Sequence, residues 1–592
     1  MDRRRFLTGA AALALASGNA RTSRAAPFAR VRPGEPGWPT PAEWARLGDA
    51  VGGRLGPVRS PLEACIAAPD TCTDLFARLK NPYYLGDEPG LTQTLGWVGA
   101  WTSRPSAYAV AAQSTADVVA AVNFCREHRL RIVVKGGGHS YQGTSNAADS
   151  LLVFTRAMNE ITLHDGFVPA GCTVAPQAAV SIGAGAIWGR AYDAVTTEGG
   201  RYVQGGGCLT VGVAGLVQSG GFGSFSKAFG TAAANLLEAE IVTADGVART
   251  VNACRDPGLF WAIKGGGGGS FGVVTRLTLK THPLPDIFGA IFATVRARSD
   301  AAFRRLIARF VDLYADALLN PRWGEQVAFR RDNALDIAML FQGIDQREAE
   351  AVWRPFLDFV AAAPQDFELA AAPSVLALPA RDLWDPAFLK TVPGLTLADD
   401  RRGAPAQNLF WAGNLGEAGQ VLYAYKSAWL PQSLLARRQE LCDALFAASR
   451  HWRVALHFNK GLAGAPAEAI GAARDTATNP AVLDAVALAI IASGGPPAYP
   501  GIAGHEPDLG AAQRTAAAIE SAMAELRKLV PNPGSYVSES DFFEPDWQSS
   551  FWGDNYPRLL AVKERYDPDG LFFVHHGVGS ELWSADGFTR DG

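Results

Sequence analysis

Between Ser114 and Phe154 the spacing of apolar positions changes period twice. Val118, Val119, Val122 and Phe124 recur at helical spacing behind Ser114, and Asp117 three residues on completes a capping signal, so a helix is predicted. Arg131-Ile132-Val133-Val134 and Leu151 to Phe154 are continuous apolar runs of strand length. The glycines between them belong to a loop joining two buried strands. Further on, Ala234 to Val242 reads as a strand, Asp245-Gly246 as a hairpin turn and Asp256 to Ile263 as a short helix. Gly265 to Gly269 then precede a strand from Phe271 to Leu279. Their dense apolar flanks mark packed backbone that something approaches closely, not a linker.

After His282-Pro283-Leu284-Pro285 the texture shifts. Charged, Ala-rich helical stretches (Asp300 to Leu313, Arg347 to Ala361, Ala511 to Leu529) alternate with strand-like runs at Leu335 to Phe341, Val421 to Tyr425 and Val454 to Phe458. The tail from Tyr536 to Ser580 returns to the aromatic, Gly-rich texture of the first part. The expected plan is a 27–94 N-terminal extension, a first domain over 95–285, an α/β domain inserted at 286–530, and a 531–592 segment returning to the first domain.

Composition narrows the function. The 592 residues are 48% hydrophobic and 19% charged, enough for a sizeable core. A net charge of −4 gives no basic face, so no nucleic-acid partner is expected. No apolar run is long enough for a membrane span. The 7 Cys are too sparse for a disulfide scaffold. Residues 1–26 read as an address: Asp2-Arg3-Arg4-Arg5-Phe6-Leu7 resembles a twin-arginine export box, followed by an Ala-rich apolar run and small residues suited to cleavage. The competing reading, a basic amphipathic helix, lacks a polar face. Periplasmic or secreted localisation is expected. In such a compartment Cys65 and Cys72 either bridge or remain free thiols.

Three phosphate-binding readings of the glycines can be separated. No Walker string exists. Gly267, Gly269 and Gly272 satisfy G-x-G-x-x-G literally, but a strand follows where a helix is needed, so that match is treated as accidental. Gly136 to Ser140 remains, a loop able to hold a pyrophosphate by backbone N–H groups alone.

Val134-Lys135-Gly136-Gly137-Gly138-His139-Ser140-Tyr141-Gln142-Gly143 resembles the pyrophosphate loop of the vanillyl-alcohol oxidase flavoprotein family. Gln204-Gly205-Gly206-Gly207-Cys208-Leu209-Thr210-Val211-Gly212, continuing through Gly215 to Gly220-Gly221-Phe222-Gly223, resembles the second flavin segment of its berberine bridge enzyme-like branch. Phe260 to Gly265 and Tyr566-Asp567-Pro568 match as well. The resemblance implies an α+β fold: a two-subdomain PCMH-type FAD-binding domain, an inserted antiparallel sheet covered by helices, and a C-terminal return. It implies FAD bound covalently through His139 and Cys208, with Gly136, Gly137, Gly138, Ser140, Gly143, Thr210, Val211, Gly212, Gly215, Gly220, Gly221, Gly223, Gly272, Val274 and His576 around the cofactor. Imidazole and thiolate are the side-chain nucleophiles suited to such attachment. Val211 stands at the branch's oxygen gate, where Val accompanies oxidases, so oxygen is the expected acceptor and peroxide the product.

Hydride removal from an alcohol to flavin N5 needs a base for the hydroxyl proton. Tyr536-Val537-Ser538-Glu539-Ser540-Asp541 occupies the strand from which the branch supplies such groups. It departs from the usual Tyr-x-Asn-Tyr-x-Asp at Ser538 and Glu539, and Glu539 is nominated as the base. Strand alternation would place Val537, Glu539 and Asp541 on one face. The same alternation puts Tyr423 and Tyr425 on one side of an inserted-domain strand, beside the base or in the core. No metal is expected: adjacent strand residues such as His575 and His576 point oppositely. Gly570 replaces an Asn frequent after Tyr-Asp-Pro. The expected function is an exported FAD-dependent oxidase of a small-molecule or carbohydrate CH–OH group. The alternatives are a natural-product tailoring oxidase and a secreted flavin-binding protein without turnover.

Overall fold

The computed structural model describes residues 28–590, so the export signal read in residues 1–26 lies outside the described residues. Three sheets organise the chain. In the first, Tyr108–Ala111, Ser150–Phe154 and Arg131–Lys135 run parallel in that order, with Leu55–Pro57 antiparallel at the edge. Ser150–Phe154 is buried at every position, as a central parallel strand must be. The helix Thr115–Glu127 carries the reciprocal Ser114–Asp117 cap that the sequence predicts. Its Val118, Ala121 and Val122 pack in one core with Val110, Leu151 and Val153 of the sheet.

The second sheet is antiparallel: Ala248–Asn252, Leu236–Val242, Val273–Pro283, Gln177–Gly183 and Ile161–Phe167, with Arg201–Val203 also on Val273–Pro283. The chain crosses to the third sheet between Pro283 and Ile287. That sheet has ten strands, antiparallel apart from one pair. The helices Asp300–Leu313, Gln346–Ala361, Arg438–His451 and Leu509–Arg527 join its core. Alternation sorts the side chains of its central strands between two faces. Ile291, Val327, Ile337 and Met339 enter the helix-covered core, whereas Ala290, Gln326, Ala338 and Leu340 face a large cavity.

One expectation about the N-terminal part is corrected. Thr94–Trp97 and Trp101–Thr102 are the last two strands at one end of the third sheet, the former parallel to Gln420–Pro431, so residues 95–102 do not open the first domain. The segment before them packs on the third sheet: Leu62, Leu75, Leu79 and Leu91 share a core with Val421, Tyr499 and Ile502.

Cys65 is bridged to Cys72, which settles the alternative left open above, and a second bridge joins Cys172 to Cys254. The remaining cysteines are Cys125 and Cys442, both buried, and Cys208. A bridge removes more disorder from the unfolded chain the longer the loop it closes. The partners are 82 residues apart in one bridge and 7 in the other. Replacing Cys172 and Cys254 by Ser is expected to cost about 4–5 kcal/mol, and Cys65 and Cys72 about 2–3 kcal/mol, on the chain-entropy scale. Thermal melts of the two double variants check the order; equal losses would contradict it.

Candidate cofactor and substrate site

A cavity of about 860 Å³ lies where the glycine loops of the first two sheets meet the open face of the third. Its depth depends on missing side chains. A Cβ on Gly137 would fall 2.6 Å from the Gly212 nitrogen, and one on Gly212 would fall 2.9 Å from the Gly137 nitrogen. The two loops therefore touch backbone to backbone. Gly138 has φ +76 and sits 2.8 Å, by the same measure, from the Lys135 stem. Lys135 is buried beneath the loop, where its ammonium donates to the carbonyls of Leu85, Glu88 and Leu91 at 3.0, 2.7 and 2.7 Å.

This contact brings His139 and Cys208 to one hydroxyl. Thr210 Oγ1 lies 3.1 Å from His139 Nε2 and 3.6 Å from Cys208 Sγ. Burial holds the His139 imidazole neutral, down to about 3, with Arg156 adding to the effect. Burial also pushes the Cys208 thiol up to about 11, with the field of Glu417 contributing. Neutral imidazole is the nucleophilic form, whereas the thiol must shed its proton before it can bond to carbon.

Gly136, Gly137, Gly138, His139 and Ser140 all line the cavity, as do Cys208, Val211, Gly212 and Gly215. Gly272, Val274 and His576 line it from the second sheet and the tail. Thr210 stands behind the lining and acts through its hydroxyl. Four expected cofactor glycines are packing positions instead. Gly143 abuts the Trp101 ring, Gly220 meets Thr478, Gly221 meets Leu216 and Ala232, and Gly223 meets the Gly205 carbonyl. Gly267 to Gly269, set aside as an accidental motif, do line the cavity, with φ +91 at Gly267 and +80 at Gly269. Gly570 has φ +66 and faces the Trp583 ring at 2.8 Å from a would-be Cβ, which explains why Asn is absent there.

Residues 536–541 form a turn, not the expected strand. The Glu539 N–H donates to the Tyr536 carbonyl at 2.8 Å, so Tyr536 and Glu539 both reach the cavity. Asp541 turns away to Lys426. Glu539 forms an ion pair with Lys460, which the sequence reading missed. Tyr425 lines the cavity beside them, and burial together with Glu539 raises its phenol well above the usual range. Tyr423 does not line it: the register of its strand slips between Leu422 and Ala424, and its hydroxyl is directed at Gly495. The His575–His576 pair is also a turn, with φ +50 at His576 and rings stacked at 3.8 Å rather than opposed. No metal-ligating cluster occurs among the described residues.

Four buried polar atoms of the lining lack a partner among the described residues: Gln142 Oε1, Ser270 Oγ, His576 Nδ1 and, just past a strand of the third sheet, Asn459 Oδ1. Native interiors satisfy such groups, so they point to a bound polar ligand. Together with glycine backbone open to a diphosphate and a volume within the usual range for cofactor pockets, they fit FAD.

Comparison with known proteins agrees. Residues 106–267 match the family described as FAD binding domain, and residues 535–579 that described as berberine and berberine like. The FAD-linked oxidoreductase ZEB1 of Gibberella zeae is 29% identical over 93% of this chain and 93% of its own. The VAO-type flavoprotein oxidase VAO615 of Thermothelomyces thermophilus is 28% identical over 95% of each. Among solved structures, the VAO-type flavoprotein MtVAO615 from Myceliophthora thermophila aligns with TM-score 0.78 and 26% identity, over 95% of this chain and all of that one. The glucooligosaccharide oxidase of Acremonium strictum, described with a 6-S-cysteinyl, 8α-N1-histidyl FAD, aligns with TM-score 0.64 and 20% identity, over 87% and 98%, a likeness of fold.

Gly137→Ala forces the two loops apart because backbone meets backbone. A loss of about 1–3 kcal/mol is expected, as for other overpacked sites, together with a lower flavin-to-protein absorbance ratio. A variant with wild-type melting temperature and full colour would show that the contact is not needed.

Proposed function

We propose that this chain, an FAD-dependent oxidoreductase similar to the vanillyl-alcohol oxidase-type flavoproteins and matching the berberine-like family at its C-terminal end, is an exported oxidase acting on a CH–OH group of a sugar, oligosaccharide or other alcohol. The observation carrying the reading is a paired carboxylate, Glu539, in the wall of the cavity that His139 and Cys208 also line. When bound, the flavin supplies the hydride acceptor and the route to oxygen.

The chain's own groups supply the rest. Gly136 to Ser140 present backbone N–H groups to a diphosphate. His139 and Cys208 are the attachment points in this proposal, and the Thr210 hydroxyl aligns both. Glu539 accepts the substrate hydroxyl proton, while Lys460 fixes the carboxylate and supplies its countercharge. Tyr425, kept protonated, is a donor to the substrate oxygen and not a second base. Val211 lines the cavity next to the loop contact, the position from which it would admit oxygen. Two disulfides among the described residues support an oxidising compartment and, with Arg3-Arg4-Arg5, a periplasmic or secreted enzyme.

Acid denaturation of the purified protein is expected to leave the yellow colour on the chain. His139→Ala and Cys208→Ala should each leave one attachment, and the double variant none; colour washing off the wild type would refute covalent binding. For Glu539→Gln, kcat measured by peroxide release over sugars, aliphatic alcohols and aryl alcohols is expected to fall by about 10²–10⁴ with flavin retained. Unchanged turnover would remove Glu539 from the reaction.

A further inference from the structure

Strand alternation in the third sheet is broken at a carboxylate in Trp323–Phe329. Trp323 and Val327 point into the helix-covered core, and Glu325, midway between them and paired opposite Met339, should follow. Instead Glu325 has φ +68, a conformation that bulky residues rarely adopt, and its side chain lines the cavity next to Gln326. Its Oε1 accepts from Ser224 Oγ at 2.5 Å and from Asn459 Nδ2 at 3.5 Å, both neutral donors. A second lining carboxylate, Glu417, has only the neutral Asn414 amide at 2.9 Å. Neither makes an ion pair among the described residues, and burial raises both carboxyls above their ordinary range.

Among the described residues Lys460 is the only Lys or Arg in the lining; its field reaches both carboxyls, but its ion pair is with Glu539. His457, also in the lining, is held neutral by burial. An independent sign of a ligand is Asn459, which is 3% exposed: its Oδ1 is buried in the lining without a donor. Its amide is oriented by Glu325, so the open atom is an acceptor. The mouth of the cavity is apolar: Phe292, Leu376 and Leu395 line it and are 41%, 50% and 37% exposed.

We propose that Glu325, Glu417 and Asn459 form a recognition site for a protonated amine carried on an apolar body. The site offers carboxyl and amide acceptors inside an apolar frame, and an ammonium beside the two carboxyls would favour their charged form, which suits a protonated amine and leaves the donor–acceptor hydroxyls of a sugar poorly matched. This rests on reading the cavity as the substrate site of a flavin oxidase, and it narrows the substrate within that reading to an amine-bearing compound.

The test is calorimetric titration of the purified holoprotein with 3-phenylpropylamine, 3-phenylpropan-1-ol and cellobiose. The amine is expected to bind at least ten-fold tighter than the alcohol, which shares its aromatic body, and the preference should collapse in Glu325→Gln and in Glu417→Gln. If one of these variants fails to fold, the other and the wild-type pair still decide. Equal affinity for amine and alcohol, no binding of either, tighter binding of cellobiose, or a preference surviving both substitutions overturns the proposal. The two readings fail separately: a colourless protein that still prefers the amine sinks the flavin assignment, whereas a yellow, peroxide-producing protein without the preference sinks the amine site alone.

Discussion

The site depends on two loops from different sheets touching with no side chain between them. Gly137 follows a strand of the parallel sheet, and Gly212 precedes a short helix that packs on the antiparallel one. Their contact fixes how far His139 can stand from Cys208, and one hydroxyl spans both. A single methyl group on either glycine would widen that distance, and no side-chain rotation elsewhere could restore it, because both neighbours are backbone. Beneath the contact, Lys135 makes the first loop rigid. Its ammonium has three carbonyl partners and no carboxylate within ion-pairing distance among the described residues, so it draws the N-terminal segment under the loop instead of neutralising an acid.

A similar device joins the flavin loops to the inserted sheet. Lys227 is buried, and its ammonium donates to the carbonyls of Gly461 and Ala463 at 3.0 and 2.7 Å. Those carbonyls lie one and three residues after Lys460. A buried ammonium left without partners is costly, so each of these lysines resists separation of the parts it bridges. The wall that carries Lys460 and Glu539 is thereby held in register with the floor that carries His139 and Cys208.

The floor was far more legible in the sequence than the wall. Loops that must let backbone approach backbone have to be glycine, and glycine runs between apolar strands are visible in a single chain; His139 and Cys208 follow from their places in those runs. The helix from Thr115 is legible because its cap and its apolar stripe agree. The wall carries no such signature. Lys460 lies just past the end of a strand and Glu417 in a short turn, positions where charged residues are common and ordinarily solvated. The turn at Tyr536–Glu539 was misread because its alternation of polar and apolar residues also suits a strand, and only the hydrogen bond from Glu539 to Tyr536 distinguishes them. Tyr423 and Tyr425 share the same failing: period two predicts one face, but a slip in register separates them.

Glu325 shows why the wall resists sequence reading in principle. In a strand of alternating burial, a Glu between Trp323 and Val327 reads as an error of pattern, a charge aimed into an apolar core. The backbone resolves the conflict by entering a conformation that costs on the order of 1–3 kcal/mol and delivers the carboxylate to the cavity. Placing an uncompensated carboxyl in the core would cost more, so the strained turn is the cheaper of two unfavourable states. Relief is not its whole account. The strand could have met the same demand with a residue of core type at this position, keeping its alternation and its ladder without strain. A polar residue that violates the pattern and is then rescued by the backbone is better explained by what its side chain reaches, and here it reaches Ser224, Asn459 and open cavity.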